Sequence, residues 1–220
     1  MRRARRGDTW VLCLNEGMFG LTPQETAVFK KLSTSQKIQD FLTALPVNFE
    51  KKGGTHYSPR RVLREKKAHC IEGAMFAAAA LWFHGQEPLL MDFTTADDDE
   101  DHVIAPFRQN GYWGAISKTN HAILRYRDPV YRTPRELALS YFHEYYMFED
   151  GRKTLVSYSL PMNLKRFGKR WVTEEEDLFH MDDALNAMRH LSIVPKTNKR
   201  LLRRADPIER KVGKIAEWRR

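Results

Sequence analysis

Cys70 is the residue whose type and position most clearly predict chemistry. It stands just before an apolar, alanine-rich run at residues 74–83, which predicts a buried helix. A thiol in the first turn of such a helix faces free backbone N–H groups and the positive end of the helix dipole. Both favour the thiolate, which is the nucleophilic form of cysteine. Cys70 is therefore a candidate nucleophile, and the alternative is an inert thiol that only packs in the core.

His102 is the candidate general base. It follows the apolar residues 88–91 and a run of five acidic residues at positions 97–101. Neighbouring carboxylates would stabilise an imidazolium, which suits a thiolate–imidazolium pair with Cys70. A divalent-metal site built from the same acids is disfavoured, because they lack the alternating spacing and internal glycine of a calcium loop.

A third residue is needed to hold the imidazole in its productive tautomer. Asn120 and Ser117 follow a predicted strand and can both accept a hydrogen bond, so both remain open as the orienting residue. Asp128 precedes Pro129 and is interpreted as a turn residue. The sequence contains no phosphate-binding loop, no GxGxxG motif and no CxxC pair, so we expect no cofactor and no metal.

The net charge of +9 is unevenly distributed along the chain. Residues 1–69 and 152–220 each carry +8, whereas residues 70–151 carry −7. A phosphate-binding site should show the opposite local sign around the candidate nucleophile. The basic flanks are interpreted as solvated surface, with weak nucleic-acid binding as an open alternative.

The 220 residues are enough for one core, and we expect residues 1–220 to form a single domain. The catalytic core is expected at about 58–150, with extensions at 1–57 and 151–220. We expect no membrane span, because no apolar run is long enough. With no secretory segment and only two cysteines, a cytoplasmic location is expected.

The local patterns predict an α+β fold. The candidate nucleophile's helix should pack on a small antiparallel sheet, with basic helical flanks covering it. Helices are predicted from Thr22-Pro23, at 35–45, 58–66 and 70–83, from Thr133-Pro134 to Tyr146, at 174–190 and at 208–220. Strands are predicted at 9–14, 89–93, 102–107, 113–116 and 121–126, with a tight turn at Asn110-Gly111. The aromatic residues of 133–146 are interpreted as core packing.

Residues 58 to about 131 resemble a transglutaminase-like core of the papain-like cysteine group, in its bacterial form. The resemblance rests on residues 62–70, ending in Ala68-His69-Cys70, and on residues 81–88, which lead out of the helix into a strand. His102 followed by Gly111-Tyr112-Trp113 is a weaker third feature. The sequence departs from the family where Ala68-His69 replaces a Gly-hydrophobic pair, and where Ser117 occupies the usual place of an Asp.

The resemblance implies acyl transfer or amide hydrolysis through a Cys70–His102 pair. The substrates would be a protein or peptide amide and, for transfer, an amine acceptor. The departure at Ser117 keeps a catalytically inactive interaction protein as an alternative, and the basic flanks keep a nucleic-acid-associated protein as another. The acidic segment around His102 also predicts a preference for neutral or cationic substrates over anionic ones.

Overall fold

The computed structural model describes residues 19–51, 53–96 and 99–219. The helices of these residues are α1 Pro23–Lys31, α2 Ser35–Ala44, α3 Pro59–Glu65, α4 Cys70–Phe83, α5 Pro134–Phe142, α6 Phe179–Asn186 and α7 Pro207–Gly213. The strands are β1 Leu89–Thr95, β2 His102–Gln109, β3 Tyr112–Ile116, β4 Arg127–Tyr131, β5 Leu155–Ser159, β6 Met162–Asn163 and β7 His190–Ser192. The predicted strand at 9–14, with Cys13, lies outside the described residues.

The strands form an antiparallel sheet in the order β4-β3-β2-β1-β5-β7, and β6 pairs with the start of β1. The predicted α+β class with an antiparallel sheet is confirmed. Asn110 and Gly111 join β2 to β3 with φ angles of 51° and 88°. Two positive φ angles are what a two-residue hairpin turn requires, so the predicted tight turn is also confirmed.

Helices cover both faces of the sheet because successive strand residues point in opposite directions. Leu90, Val103 and Ala105 pack in a cluster with the residues of α4. Met91 and Ile104, their neighbours along the strands, pack in a second cluster with residues of α5. Helix α4 is therefore held directly against β2, the strand that begins at His102.

Apart from Cys70 and Glu72 in its first turn, helix α4 is apolar on all sides, and twelve of its fourteen residues are buried. Gly73 is one of them, at a point where Lys118 crosses the helix. A Cβ at Gly73 would lie 2.4 Å from Lys118 Cβ, so only glycine lets the chain after β3 approach so closely. This contact fixes the segment 117–118 beside the first turn of α4.

The predicted helix starts at Thr22, Ser58 and Thr133 are confirmed. In each case the hydroxyl of the N-cap residue accepts a hydrogen bond from the third helical N–H, at 3.1–3.2 Å. These caps satisfy backbone donors that have no partner inside the helix.

Several predicted boundaries are wrong. Residues 121–126 do not form a strand, and the edge strand β4 instead includes Asp128-Pro129. The predicted helix at 174–190 is reduced to α6, and the one at 208–220 to α7. Helix α5 ends at Phe142, so Tyr145 and Tyr146 lie outside it.

Residues after 150 do not only cover the core, because they also supply strands of the sheet. Strands β5 and β6 both pair with β1, and β7 pairs with β5. The sheet therefore extends past the segment 58–150 that was expected to contain the core. Among the helices that the structure describes, none has the length and apolar character to cross a membrane.

Candidate active site

Cys70 is the first residue of α4, as the sequence predicted, and its side chain is half-buried. The preceding residue, His69, has an extended backbone and is the N-cap. The N–H groups of a first helical turn have no acceptor within the helix. The thiol therefore lies beside outward-facing backbone donors at the positive end of the dipole.

The start of α4 is organised by Glu72, a fully buried carboxylate. It accepts hydrogen bonds from the backbone N–H groups of His69, at 2.9 Å, and Tyr57, at 3.1 Å. It also accepts from Thr55 Oγ1 at 2.8 Å and from Asn48 Nδ2 at 3.1 Å. Burial acts to raise the pKa of Glu72, but the contacts with His69 and these donors outweigh it and lower the pKa. Glu72 is thus a buried anion surrounded by donors.

His69 links this anion to the thiol. Its Nε2 lies 2.7 Å from the Thr55 carbonyl oxygen and 3.4 Å from Glu72 Oε1, and its Nδ1 lies 4.0 Å from Cys70 Sγ. Oxygen acceptors at Nε2 require a proton there, and a thiolate at Nδ1 favours a second one. Burial opposes the charged form, but Cys70 and Glu72 raise the pKa of His69 far above its ordinary value. His69 is therefore an imidazolium between the Cys70 thiolate on one side and two carboxylates on the other, Glu72 and Glu50, whose Oε1 lies 3.5 Å from Nε2.

His102 is buried at the start of β2, and its tautomer follows from its neighbours. Ser117 Oγ donates its one hydrogen to the Leu124 carbonyl oxygen at 2.5 Å. The contact between Ser117 Oγ and His102 Nε2, at 2.8 Å, must then use the hydrogen on Nε2. Nδ1 is consequently the basic nitrogen of the neutral ring.

Of the two residues considered for orienting His102, Ser117 hydrogen-bonds to the imidazole, whereas Asn120 hydrogen-bonds to Trp218. Ser117 makes the contact just described, and Gln39 holds its backbone through two hydrogen bonds of 2.9 Å. The Asn120 amide is engaged elsewhere: its Nδ2 donates to the Trp218 carbonyl oxygen at 3.0 Å, and its Oδ1 accepts from the Trp218 N–H at 2.8 Å.

The two histidines determine the state of the thiol. Burial alone would raise the pKa of Cys70, but interactions with His102 and His69 lower it from 9.0 to about 5. At neutral pH Cys70 is therefore a thiolate. This combination of a depressed thiol pKa and a partly exposed position is typical of reactive rather than structural cysteines.

Cys70, His69 and His102 line one cleft of about 760 Å³. The acidic residues that line it are Glu50, Asp99, Glu100, Asp101 and Glu144. Lys118 is the lysine in this lining, and its buried Nζ donates to the Leu45 carbonyl oxygen. Burial lowers the pKa of Lys118 to about 8. The cleft is therefore more acidic than basic. Among the described residues, no three or more His, Cys, Asp or Glu side chains are grouped so that they could hold a metal ion.

The sequence did not reveal the roles of His69, Glu72 and Asn48. In the sequence His69 is a departure from the family pattern, and its position next to Cys70 is the one local signal of its role. Asn48 and Thr55 reach Glu72 from 24 and 17 residues away, and no local pattern predicts such a contact.

Comparison with protein-family models finds no match for this sequence, and comparison with curated proteins finds none either. The chemistry of the cleft's own residues therefore carries the functional assignment.

Proposed function

We propose that this protein is a cysteine-dependent acyltransferase or amidase, with Cys70 as nucleophile and His102 as general acid and base. The observation that carries the proposal is the position of Cys70 at a helix start inside a cleft, with His69 Nδ1 4.0 Å from its sulfur and His102 lining the same cleft. A thiol that only packs in a core has no need of such partners. The arrangement is consistent with the transglutaminase-like resemblance of residues 58–131, which remains part of the proposal.

In the proposed reaction, Cys70 Sγ attacks the carbonyl carbon of an amide, and the carbonyl π electrons move to oxygen. The tetrahedral intermediate collapses, the C–N bond breaks, and the departing amine takes a proton from the His102 imidazolium. This leaves a thioester on Cys70. An amine or a water molecule then attacks the thioester while His102 accepts its proton, which gives acyl transfer or hydrolysis respectively.

Ser117 supports this cycle as a positioning residue. Its hydroxyl fixes the hydrogen of His102 on Nε2 and leaves Nδ1 to exchange protons. A serine hydroxyl stabilises the imidazolium less than an aspartate would. The second cation beside the thiol, His69, compensates by stabilising the thiolate directly.

The pH dependence of thiol reactivity tests the proposal. Alkylation of Cys70 by iodoacetamide should reach half its maximal rate near pH 5 and be constant through neutral pH, because the pKa of the thiol is lowered to about 5. The rate should be measured by mass spectrometry in a Cys13→Ser background, in which Cys70 is the single cysteine.

An ordinary thiol would give a half-maximal rate close to pH 9 and would favour the inactive interaction protein.

A stronger test uses an activated ester. Incubation with p-nitrophenyl acetate should produce a burst of one nitrophenolate per chain and an acetylated Cys70, and Cys70→Ser should abolish both. Failure of the wild-type chain to form this thioester would overturn the proposal.

The acidic lining of the cleft predicts selectivity for cationic reagents. At low ionic strength, a trimethylammonioethyl thiosulfonate should modify Cys70 about tenfold faster than a sulfonatoethyl thiosulfonate, after correction for their rates with free cysteine. The preference should shrink in high salt, because the Debye length falls from about 30 Å at 0.01 M to about 3 Å at 1 M.

A matched pair of variants shows whether carboxylates in the cleft cause the preference for the cationic reagent. Glu100 is exposed and lines the cleft, whereas Glu65 is exposed on α3 outside it. Glu100→Gln should reduce the charge preference, and Glu65→Gln should not. A faster reaction with the anionic reagent at low salt would refute the predicted selectivity.

A further inference from the structure

We propose that Leu124 is a positioning residue for His102, because its left-handed backbone directs its carbonyl oxygen at Ser117 and so fixes the hydrogen on the His102 ring. This inference rests on the proposed function and deepens it, since it names the group that sets which nitrogen of His102 exchanges protons. It starts from a strained backbone position in the wall of the cleft.

Leu124 has a backbone conformation that a leucine rarely adopts. Its φ angle is 61°, and in the described part of the chain the other non-glycine residues with a positive φ are Glu50, Lys66 and Asn110. In this left-handed region the Cβ lies too close to backbone oxygen, so the conformation is unfavourable for every residue that has a Cβ. Such residues persist only where their surroundings hold them, and they cluster at functional sites. Leu124 lines the same cleft as His102.

Contacts on both sides of Leu124 hold this conformation. Its N–H donates to Glu144 Oε2 at 2.6 Å, and the other oxygen of Glu144 is paired with Arg127 at 2.7 Å. The next carbonyl oxygen along the chain, that of Arg125, accepts from the Tyr141 hydroxyl at 3.0 Å. Tyr141 lies in α5 and Glu144 follows the end of that helix. The end of α5 therefore fixes the loop at Leu124.

The carbonyl oxygen of Leu124 determines the orientation of the Ser117 hydroxyl. It accepts the hydroxyl hydrogen at 2.5 Å, which leaves the Ser117 oxygen to accept from His102 Nε2 at 2.8 Å. A serine hydroxyl has one hydrogen, and without the Leu124 acceptor it would be free to rotate and donate to Nε2. The neutral ring would then carry its own hydrogen on Nδ1. The Leu124 carbonyl thus selects the tautomer, which is the part that a carboxylate plays in a catalytic triad.

The tautomer matters most when the thioester is hydrolysed. A water molecule attacks the thioester carbonyl carbon and gives its proton to the neutral His102 ring, while the carbonyl π pair moves to oxygen. When that pair returns, the C–S bond breaks and its electrons leave with the Cys70 sulfur as a thiolate. The proton must go to Nδ1, because Nε2 is occupied by its contact with Ser117. A ring that already carries hydrogen on Nδ1 cannot act as the base in this step.

Two substitutions at the same position separate a backbone role from packing by the side chain. Leu124→Gly removes the whole side chain but adopts a positive φ readily, whereas Leu124→Val keeps most of the side chain and, being β-branched, disfavours a positive φ more strongly. Thioester hydrolysis should fall about tenfold in Leu124→Val and clearly less in Leu124→Gly. Loss of side-chain packing alone would give the opposite order.

The rate is measured as steady turnover of p-nitrophenyl acetate divided by the amplitude of the burst, so that it does not depend on the fraction of folded protein. Lys66→Val is the matched control. Lys66 has a φ angle of 53° at the exposed C-cap of α3, outside the cleft. This variant introduces the same backbone conflict and should keep the wild-type rate per burst equivalent.

Nitrogen-15 NMR of the histidine rings reports the tautomer directly, at a pH where the His102 ring is neutral. Protonated and bare ring nitrogens have different chemical shifts, and the His102 signals are assigned by their absence in His102→Gln. The wild-type ring should carry its hydrogen on Nε2, and in Leu124→Val a share of it should move to Nδ1.

A wild-type ring with its hydrogen on Nδ1 would overturn this inference and leave Cys70 as the nucleophile. Losses that are equal in Leu124→Gly and Leu124→Val, or equal in Lys66→Val and Leu124→Val, would also overturn it, as would an unchanged rate in Leu124→Val. Absence of a burst in the wild-type chain would overturn the proposed function, and this inference with it.

Discussion

Glu72→Gln is expected to lose about 3 kcal/mol or more of the free energy of unfolding, because it removes one partner of a buried charge network. The side chain keeps its size, so no cavity is formed. However, the new amide presents an NH₂ group to partners that all donate to the carboxylate: Asn48, Thr55 and the N–H groups of Tyr57 and His69. The His69 imidazolium also loses its buried counter-charge. Urea unfolding at pH 7 measures the difference.

Glu65→Gln is the matched control for this change. Glu65 lies on α3 and pairs with Arg64 at the surface, where such a pair contributes about 0–1 kcal/mol. The control should therefore stay within about 0.5 kcal/mol of the wild type. A Glu72→Gln variant as stable as the control would show that the carboxylate does not organise the start of α4.

The stability difference should also depend on pH. The pKa of Glu72 is lowered below its ordinary value of 4.5. A lowered pKa means that the carboxylate stabilises the fold above its unfolded-state pKa, and that this contribution is lost as the pH falls through the folded-state pKa. The gap between wild type and Glu72→Gln should therefore be complete at neutral pH and narrow below about pH 4.

Much of the fold was predictable because its signals are local. A hydroxyl followed by proline marks the starts of α1, α3 and α5, and a hydroxyl side chain can cap a helix wherever the chain places it. The start of α4 was predictable for a similar reason, since Cys70 precedes a long apolar run. These signals need no knowledge of what packs against the helix.

The sheet was less predictable because its edges depend on distant pairing. Asp128, before Pro129, was interpreted as a turn residue, yet both residues lie in β4, at the edge of the sheet. An edge strand has no neighbour along one side, so the N–H and C=O groups on that side are unpaired. A proline, which has no N–H, is therefore tolerated there. Strands β5 and β7 were missed because their partners lie far away in sequence.

The candidate site was also predictable only in part. Cys70, His102, Ser117 and Asn120 were named from the sequence. The structure places Cys70, His102 and Asn120 in the lining of one cleft and Ser117 against His102. Tyr145 was assigned to a helical core stripe because no glycine or proline marks the end of α5 after Phe142. The helix ends before Tyr145, but the residue still packs in the core cluster that contains Tyr141, as interpreted, and it also lines the cleft.

His102→Ala is expected to reduce amide turnover by about 10²–10⁴-fold while reducing acylation by an activated ester far less. The reason is the leaving group. An amine leaves only with a proton, which His102 supplies, whereas p-nitrophenolate leaves unprotonated. The thiolate itself should survive in part, because His69 Nδ1 remains 4.0 Å from Cys70 Sγ and keeps its counter-charge at Glu72.

His69→Gln is the informative comparison, because it removes the second cation and keeps the proton donor. It should raise the pKa of Cys70 and shift the pH profiles of the amide and ester reactions to higher pH by the same amount. The ratio of the amide rate to the ester rate at high pH should stay unchanged. In His102→Ala the amide-to-ester ratio should fall at every pH, and this ratio does not depend on the fraction of folded protein. If His102→Ala slowed both reactions equally, His102 would act on the thiolate alone, and proton transfer to the amine would have to come from another group.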